Sequence, residues 1–445
     1  MSFADAEAVF ACMQAQGAYR FFIKHLKPND NRKQQIYLGL GFEAIRVIPS
    51  HDIRPDGNTF KARIRLRWIN EECRSEEAPG AQLILYPKYP EVRLSGFQQG
   101  CSLAPRARMV ELSRDQRKAL KDTPRALLLG ITDDGVIFAY ASDWSDPVAI
   151  SATRMIESGV AEHAAAVLYE WSPTVSAPGG RAGLREKLTE VHRQGWIESF
   201  RLDRYGHRIP YQARNGAGFT LEGMLGITPN GRPEPDLLGW EIKSHAGTGP
   251  ITLMTPEPTR GLYAESFLEF METYGRMHTS GQRVDFTHAH RCGERNATTG
   301  LTLRLDGVED RGPAKGFQIS DPQGGLHLYD DEGTRAAGWA FDNLLEHWKR
   351  KHGNTAFVSY EKDDIGETRR YRFGPAVTLA EGADFPRYLK ALSDGVIVYD
   401  PGCNLKRKLG TGSGWTGKRR NQLRIGWKAL DAIYDEIQEI DLSEP

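Results

Sequence analysis

No stretch of the 445-residue chain approaches the roughly 18 to 20 consecutive apolar residues needed to cross a bilayer. The opening Met1-Ser2-Phe3-Ala4-Asp5 has no basic segment followed by an apolar run, so no secretory signal is expected. The five cysteines (Cys12, Cys73, Cys101, Cys292, Cys403) are scattered without CxxC spacing. That usage predicts reduced thiols, a cytoplasmic prokaryotic setting and no structural zinc. Excess charge is also missing, because Lys plus Arg and Asp plus Glu both number 58. A global field that gathers polyanions is thereby excluded, although local basic clusters are not. The glycine run Gly410-Thr411-Gly412-Ser413-Gly414 lacks the Lys-Ser/Thr that completes a phosphate-binding loop, and no methyltransferase motif is visible.

What remains is ordinary globular composition, with hydrophobic residues at 40% and charged residues at 26%. The length suits two domains. Small residues, two prolines and a glycine pair in Ser172-Pro173-Thr174-Val175-Ser176-Ala177-Pro178-Gly179-Gly180 mark a linker, taken as 172–183. Before it, residues 1–171 hold short β-rich segments at Tyr19–Ile23, Gln35–Leu38, Thr59–Trp68, Leu83–Tyr86 and Val136–Tyr140. In Phe60 to Trp68 apolar and basic residues alternate, as a half-buried strand requires. A β-barrel or sandwich fits this half. Residues 184–445 mix periods and predict an α/β domain. Helices are expected at Leu184–Ser199, Ala264–Tyr274, Gly338–Lys351 and Trp427–Gln438, and strands at Leu238–Lys243, Val284–His290, Leu301–Leu305, Gly316–Ile319 and Gly395–Tyr399.

The chemistry concentrates in Pro235-Asp236-Leu237-Leu238-Gly239-Trp240-Glu241-Ile242-Lys243. On a strand, Glu241 and Lys243 project from one face while Trp240 and Ile242 take the other. Asp236, just ahead of the strand, can turn toward Glu241. Two carboxylates so placed suit Mg²⁺, and the Lys243 ammonium can orient a water and offset charge developing on a phosphate. Glu222, in the glycine-bounded stretch Gly216 to Ile227 that resembles a short helix, offers a third acid. The spacing alone also fits a solvated Glu–Lys pair with Asp236 in a turn.

Thr220-Leu221-Glu222, Leu225-Gly226-Ile227, Asn230 and Pro235 through Ser244 together resemble the catalytic block of the MvaI/BcnI restriction endonucleases, which are related to the mismatch-repair nickase MutH. The resemblance implies a PD-(D/E)xK nuclease core in which Glu222, Asp236, Glu241 and Lys243 form the active site, with Asp236 and Glu241 on Mg²⁺. Weaker similarity at Ile251–Thr255, Trp348–His352 and Asp394–Asp400 extends it over roughly 184–442.

Tyr19 through Asn31 and Gln34 through Leu38 resemble EcoRII-type effector domains, DNA-binding β-pseudobarrels that grip the major groove with two arms. That implies a first arm carrying Lys24, Lys27, Asn29, Asn31, Arg32 and Lys33, and a second near Tyr86 to Arg93 with Lys88 and Arg93. A β-domain that only stabilises the nuclease or binds a protein is the plainer reading. The basic stretch with Lys406, Arg407, Lys418, Arg419, Arg420 and Arg424 falls where such nucleases read or clamp DNA; a solvated loop is its plainer reading. The fold class expected is therefore α+β and multidomain: an N-terminal DNA-binding β-pseudobarrel and a C-terminal α/β nuclease domain. Such composite enzymes imply a monomeric type II restriction endonuclease that hydrolyses double-stranded DNA at a CC-GG type site, CCWGG favoured. A second copy of the site would occupy the effector domain. A nicking repair endonuclease and a DNA-binding regulator with an inactive nuclease fold are the alternatives. Among the remaining residues, His288-Ala289-His290-Arg291-Cys292 is read as strand histidines near DNA or solvent, and His278 and His352 have no evident partner.

Overall fold

The computed structural model of the chain describes residues 3–29, 32–172, 180–213, 215–227, 237, 239–247, 249–312, 316–351, 353–365, 368–407 and 414–444. The chain divides into two compact units, Met1–Ser176 and Ala177–Pro445. Among the described residues no helix is long and apolar enough to cross a membrane.

The first unit is built on two sheets. The larger has seven strands in the order Glu162–Ala165, Leu168–Trp171, Ala18–His25, Ala126–Thr132, Val136–Ala141, Arg65–Ile69, Ser75–Glu77. Helices Ala6–Ala15 and Pro147–Glu157 bury Val9, Phe10, Met13, Val148 and Ala152 against Phe21, Ile23 and Leu128 of this sheet. The helix comes so close that a Cβ at Gly130 would lie 2.8 Å from Met13 Sδ. The smaller sheet orders Ile36–Leu40, Glu91–Ser95, Gln82–Tyr86, Thr59–Arg63 and His51–Asp56. The single strand expected over Thr59–Trp68 is two, one in each sheet, joined through Ile64. Its inward period survives the crossing, since Phe60, Ala62, Ile64, Leu66 and Trp68 are all buried. Cys12 and Cys73 form a disulfide with Cα atoms 5.7 Å apart, which corrects the expectation of reduced thiols at these two positions. The end of helix Ala6–Ala15 meets the turn after Arg65–Ile69 there, and the Gln16 side chain donates to Cys73 O.

The second unit is mixed α and β. Helix α1 (Gly180–Arg193) begins inside the stretch expected to be linker. Strands β1 (Ile197–Glu198), β2 (Phe200–Leu202) and β3 (Arg208–Pro210) precede helix α2 (Gly216–Met224). After them come β4 (Trp240–His245), β5 (Asn354–Ile365), β6 (Thr368–Glu381) and β7 (Glu436–Asp441). β4 pairs with β5 in parallel, β5 with β6 antiparallel, and β6 with both β1 and β7. Leu184, Leu188 and Val191 of α1 and Ala217 and Leu221 of α2 cover the sheet face to which Trp240, Ile242, Ala356 and Val358 contribute. The helix expected over Trp427–Gln438 is instead a 3-10 turn, Trp427–Ala432, followed by β7. The exposed backbone of β6 needed a partner, and the segment after Asp435 supplies it. The helix expected over Ala264–Tyr274 is broken at Ser266, which has an extended backbone and whose hydroxyl caps Phe267–Tyr274 by accepting from Glu269 N–H.

His290, expected near DNA or solvent, is fully buried. Its ring stacks on Phe286 at 5.7 Å, its Nε2 lies 2.8 Å from Thr299 Oγ1, and Nδ1 has no hydrogen-bond partner among the described residues. Burial lowers its pKa to about 4. An unfolded chain protonates this imidazole near 6.5, so between pH 6.5 and 4 the unfolded state takes up a proton that the folded state refuses. The stabilisation is complete above that window and declines as pH falls through it, by about 3 kcal/mol in all. His290→Phe is expected to flatten the difference in urea-denaturation midpoint across this window; a variant with the wild-type slope would assign the effect elsewhere.

Candidate active site

Strand β4 is where sequence pattern and chemistry meet. Its alternation buries Trp240 and Ile242 in the helix-covered core and sends Glu241, Lys243 and His245 to the opposite face. The turn ahead of it is tight: Leu237 N–H donates to Trp240 O at 3.0 Å and Trp240 N–H to Leu237 O at 2.8 Å. Gly239 makes this turn possible, with a φ of 82° that a side chain would resist.

On the outer face Lys243 Nζ lies 2.8 Å from Glu241 Oε1. The two side chains are only 16% and 9% exposed, so the pair is no solvated surface bridge. Register places Glu241 beside Thr355 and Lys243 beside Phe357 of β5. The 3-10 turn closes this face, with the Trp427 ring stacked 4.0 Å from His245 and edge-on to Phe357. Burial holds the His245 pKa below its ordinary value.

Glu222 lies on α2, which packs on β4 through Leu221 and Ala217. A Cβ at Gly218 would lie 4.0 Å from Glu222 Oε1 and 3.8 Å from Ser244 Oγ, so this carboxylate lies along the helix flank near the C-terminal half of β4. Asp236 lies outside the described residues. Among the described residues no group of three or more His, Cys, Asp or Glu side chains is placed to hold a metal ion. Of the two expected metal ligands, Glu241 is the one described, and it suits a hard divalent cation. Glu241 offers a largely buried carboxylate, the hard oxygen donor that such a cation takes.

The expected DNA-contacting residues fall into distinct environments. Lys27, Asn29, Arg32 and Lys33 are exposed between two strands of the first unit, Arg32 paired with Glu111, while Asn31 lies outside the described residues. Lys24 is drawn inward instead: it is 7% exposed, donates to His25 O, and burial lowers its pKa to about 8. The expected second arm is a short turn between Gln82–Tyr86 and Glu91–Ser95. Lys88 is exposed in it, whereas Arg93 is held by Glu91 and Gln35. In the second unit, Cys403–Arg407 and Trp415–Lys418 pair as a β-ribbon exposing Lys406, Arg407 and Lys418, with Arg419 and Arg420 following. Arg424 is engaged by Asp400 in a neighbouring three-stranded sheet. Sequence reasoning missed His245, Trp427 and the arginines flanking Tyr205. The alternation of Arg and aromatic residues from Arg201 to Tyr211 was the available signal.

Residues 185–434 match the sequence profile of the MvaI/BcnI restriction endonuclease family. Among solved structures, the restriction endonuclease MvaI in complex with its cognate DNA substrate is similar at 18% identity, covering 58% of this chain and 96% of that one, with a TM-score of 0.43. MvaI in the absence of DNA is similar at 19% identity over the same shares, with a TM-score of 0.33. Comparison with curated proteins returns no match.

Because both side chains are shielded, removing either takes a close counter-charge away from the other. A double-mutant cycle with Glu241→Gln and Lys243→Met is expected to give a coupling energy of about 1–3 kcal/mol in unfolding experiments without metal. Additive single effects would mean that the pair is not formed in solution.

Proposed function

The chain belongs to the MvaI/BcnI restriction endonuclease family, and on that premise we propose that it is a Mg²⁺-dependent type II restriction endonuclease whose active site comprises Glu222, Asp236, Glu241 and Lys243. The observation that carries this reading is the shielded Glu241–Lys243 pair on one face of β4, inside the matched region.

Asp236 and Glu241 would hold the metal ion. When bound, Mg²⁺ supplies charge to the scissile phosphate and acidity to a water. The chain's own groups do the remaining work. Lys243, kept near Glu241 by a 2.8 Å contact, directs its ammonium to a face where negative charge builds up during phosphodiester hydrolysis. Its limited exposure strengthens that interaction relative to one in bulk water. Glu222 lies on a helix packed against the same strand and can accept a hydrogen bond from a water or a neighbouring ligand. Trp427, stacked on His245, keeps solvent from one flank of the site.

Duplex DNA is the substrate in this reading. The ribbon bearing Lys406, Arg407 and Lys418 and the following Arg419 and Arg420 supply groups for phosphates and base edges. The first unit is proposed to bind a second copy of the site as an effector, through exposed Lys27, Asn29, Arg32, Lys33 and Lys88. A monomer acting on a CC-GG type site with a central A·T pair, CCWGG, completes the proposal. Its support is the likeness of the two sequence blocks to catalytic and effector domains.

Supercoiled plasmid carrying CCWGG should be cut with Mg²⁺ and left intact with chelator. Asp236→Ala and Lys243→Ala should each lower the rate by at least about 100-fold while DNA binding persists. Equal residual cutting by both variants and wild type would remove these residues from the active site. Mapping the new termini fixes sequence and stagger, and accumulation of nicked circles distinguishes a monomer from a dimer.

A further inference from the structure

The β2–β3 hairpin has a basic, aromatic tip that the catalytic site does not use. From Arg201 to Arg208 it carries three arginines against one aspartate. Arg201, Arg204, His207 and Arg208 are exposed, and Tyr205 has 68% of its surface in solvent. The aspartate is occupied within the turn. Asp203 Oδ1 accepts from the backbone N–H groups of Tyr205 and His207 at 2.8 and 2.9 Å, and Oδ2 lies 3.2 Å from His207 Nδ1. Gly206, with a φ of 84°, lets the chain reverse there.

The guanidinium groups face rings and not acids. Arg204 lies 4.6 Å from the Tyr205 ring centroid, Arg208 4.4 Å from that of Phe200 and Arg201 5.5 Å from that of Tyr211. Among the described residues none of the three forms an ion pair. The contrast with β6 is sharp: Arg369, Arg370 and Arg372 are matched by Asp364, Asp363 and Glu361 at 2.9, 2.6 and 2.6 Å. Positive charge is therefore neutralised on the sheet and left open on the hairpin.

The hairpin is also fixed to the active-site elements. The Thr220 hydroxyl of α2 lies 3.2 Å from both Phe200 N and Phe200 O. A Cβ at Gly223 would come within 2.6 Å of the Phe200 ring, so the helix admits that ring only because it bears glycine there. Ser199 N–H donates to Arg369 O of β6 at 2.8 Å. Contacts thus run without a break from hairpin to α2 to β4.

We propose that this hairpin is a DNA clamp: Arg201, Arg204 and Arg208 hold phosphates of the duplex beside the catalytic strand, and Tyr205 presses against the groove. The inference rests on the nuclease reading above. Guanidinium forks match phosphate oxygens, and stacking under each arginine limits the freedom lost on binding. An exposed tyrosine between them adds contact area to a wall of sugar and base edges. An acidic protein would satisfy the arginines as well, but it gives the rigid aromatic tip no regular array of anions to follow.

The test uses the full chain, a short random-sequence DNA duplex and Ca²⁺ in place of Mg²⁺, with affinity measured by fluorescence anisotropy across a salt series. The triple variant Arg201→Gln/Arg204→Gln/Arg208→Gln should bind more weakly, with the slope of log affinity against log salt reduced by about 3, and Arg204→Gln alone by about 1. Tyr205→Ala should weaken binding with the slope unchanged. Arg295→Gln, which removes an arginine already paired with Asp331, should change neither. Thermal midpoints like that of wild type would show that the exposed substitutions leave the fold intact. A triple variant with the wild-type slope, alongside wild-type protein that binds and cuts, overturns the clamp and leaves the nuclease reading standing. Wild-type protein that fails to bind duplex DNA overturns both.

Discussion

The pleat of β4 is the constraint on which the rest of the second unit depends. A strand with a period of two can bury Trp240 and Ile242 beneath α1 and α2 only by sending Glu241 and Lys243 to the other side. Burial of the two apolar side chains contributes several kcal/mol by area, at roughly 25 cal/mol per Å². That stabilisation fixes the register against β5 and so fixes where the ionic pair lies. A one-residue slip would bury a carboxylate and an ammonium in the apolar core, at a cost no exposed alternative could offset. The chemistry of the outer face is thereby held in place by the packing of the inner one.

The same logic explains what the sequence made legible. Elements with a strong local signal came through: β4, the glycine-bounded α2, and the strand over Tyr19–Ile23, which extends to Ala18–His25. Pairing of Glu241 with Lys243 followed from their spacing alone. What failed depended on contacts distant in sequence. Trp427 to Gln438 has helical periodicity in Leu430, Ile433 and Tyr434, which are buried as a helix would bury them, yet the open edge of β6 draws the following residues into β7. Ser266 could cap a helix as well as sit inside one, and the choice rests on an extended backbone that no periodicity reveals. Lys24 reads as part of a basic arm, but its position on an inner strand draws it into the protein.

His290 and Lys24 show the cost of judging polar residues by sequence neighbourhood. Both lie in polar runs, and both are buried with lowered pKa values because desolvation disfavours their charged forms. His245 follows the same rule beside the candidate active site, shielded by the Trp427 ring. Its position on the face of Glu241 and Lys243 was implicit in the period of the strand. The burial that lowers its pKa was not, since the ring stacked on it belongs to a tryptophan 182 positions further along the chain, from 245 to 427.

Equal numbers of acidic and basic side chains argue against a polyanionic partner only if the charges are evenly spread. They are not. Along β5 and β6, arginine and acid meet across the ladder and cancel locally. The β2–β3 hairpin and the ribbon of Cys403–Arg407 and Trp415–Lys418 instead keep their cations exposed. A protein of zero net charge that segregates its cations in this way avoids non-specific attraction at long range while keeping contacts that act within a Debye length, about 8 Å at physiological salt. For a nuclease that must leave most of the DNA it meets uncut, such short-range attraction serves better than a uniform positive field. Neutrality overall and a basic surface locally are then two parts of one arrangement.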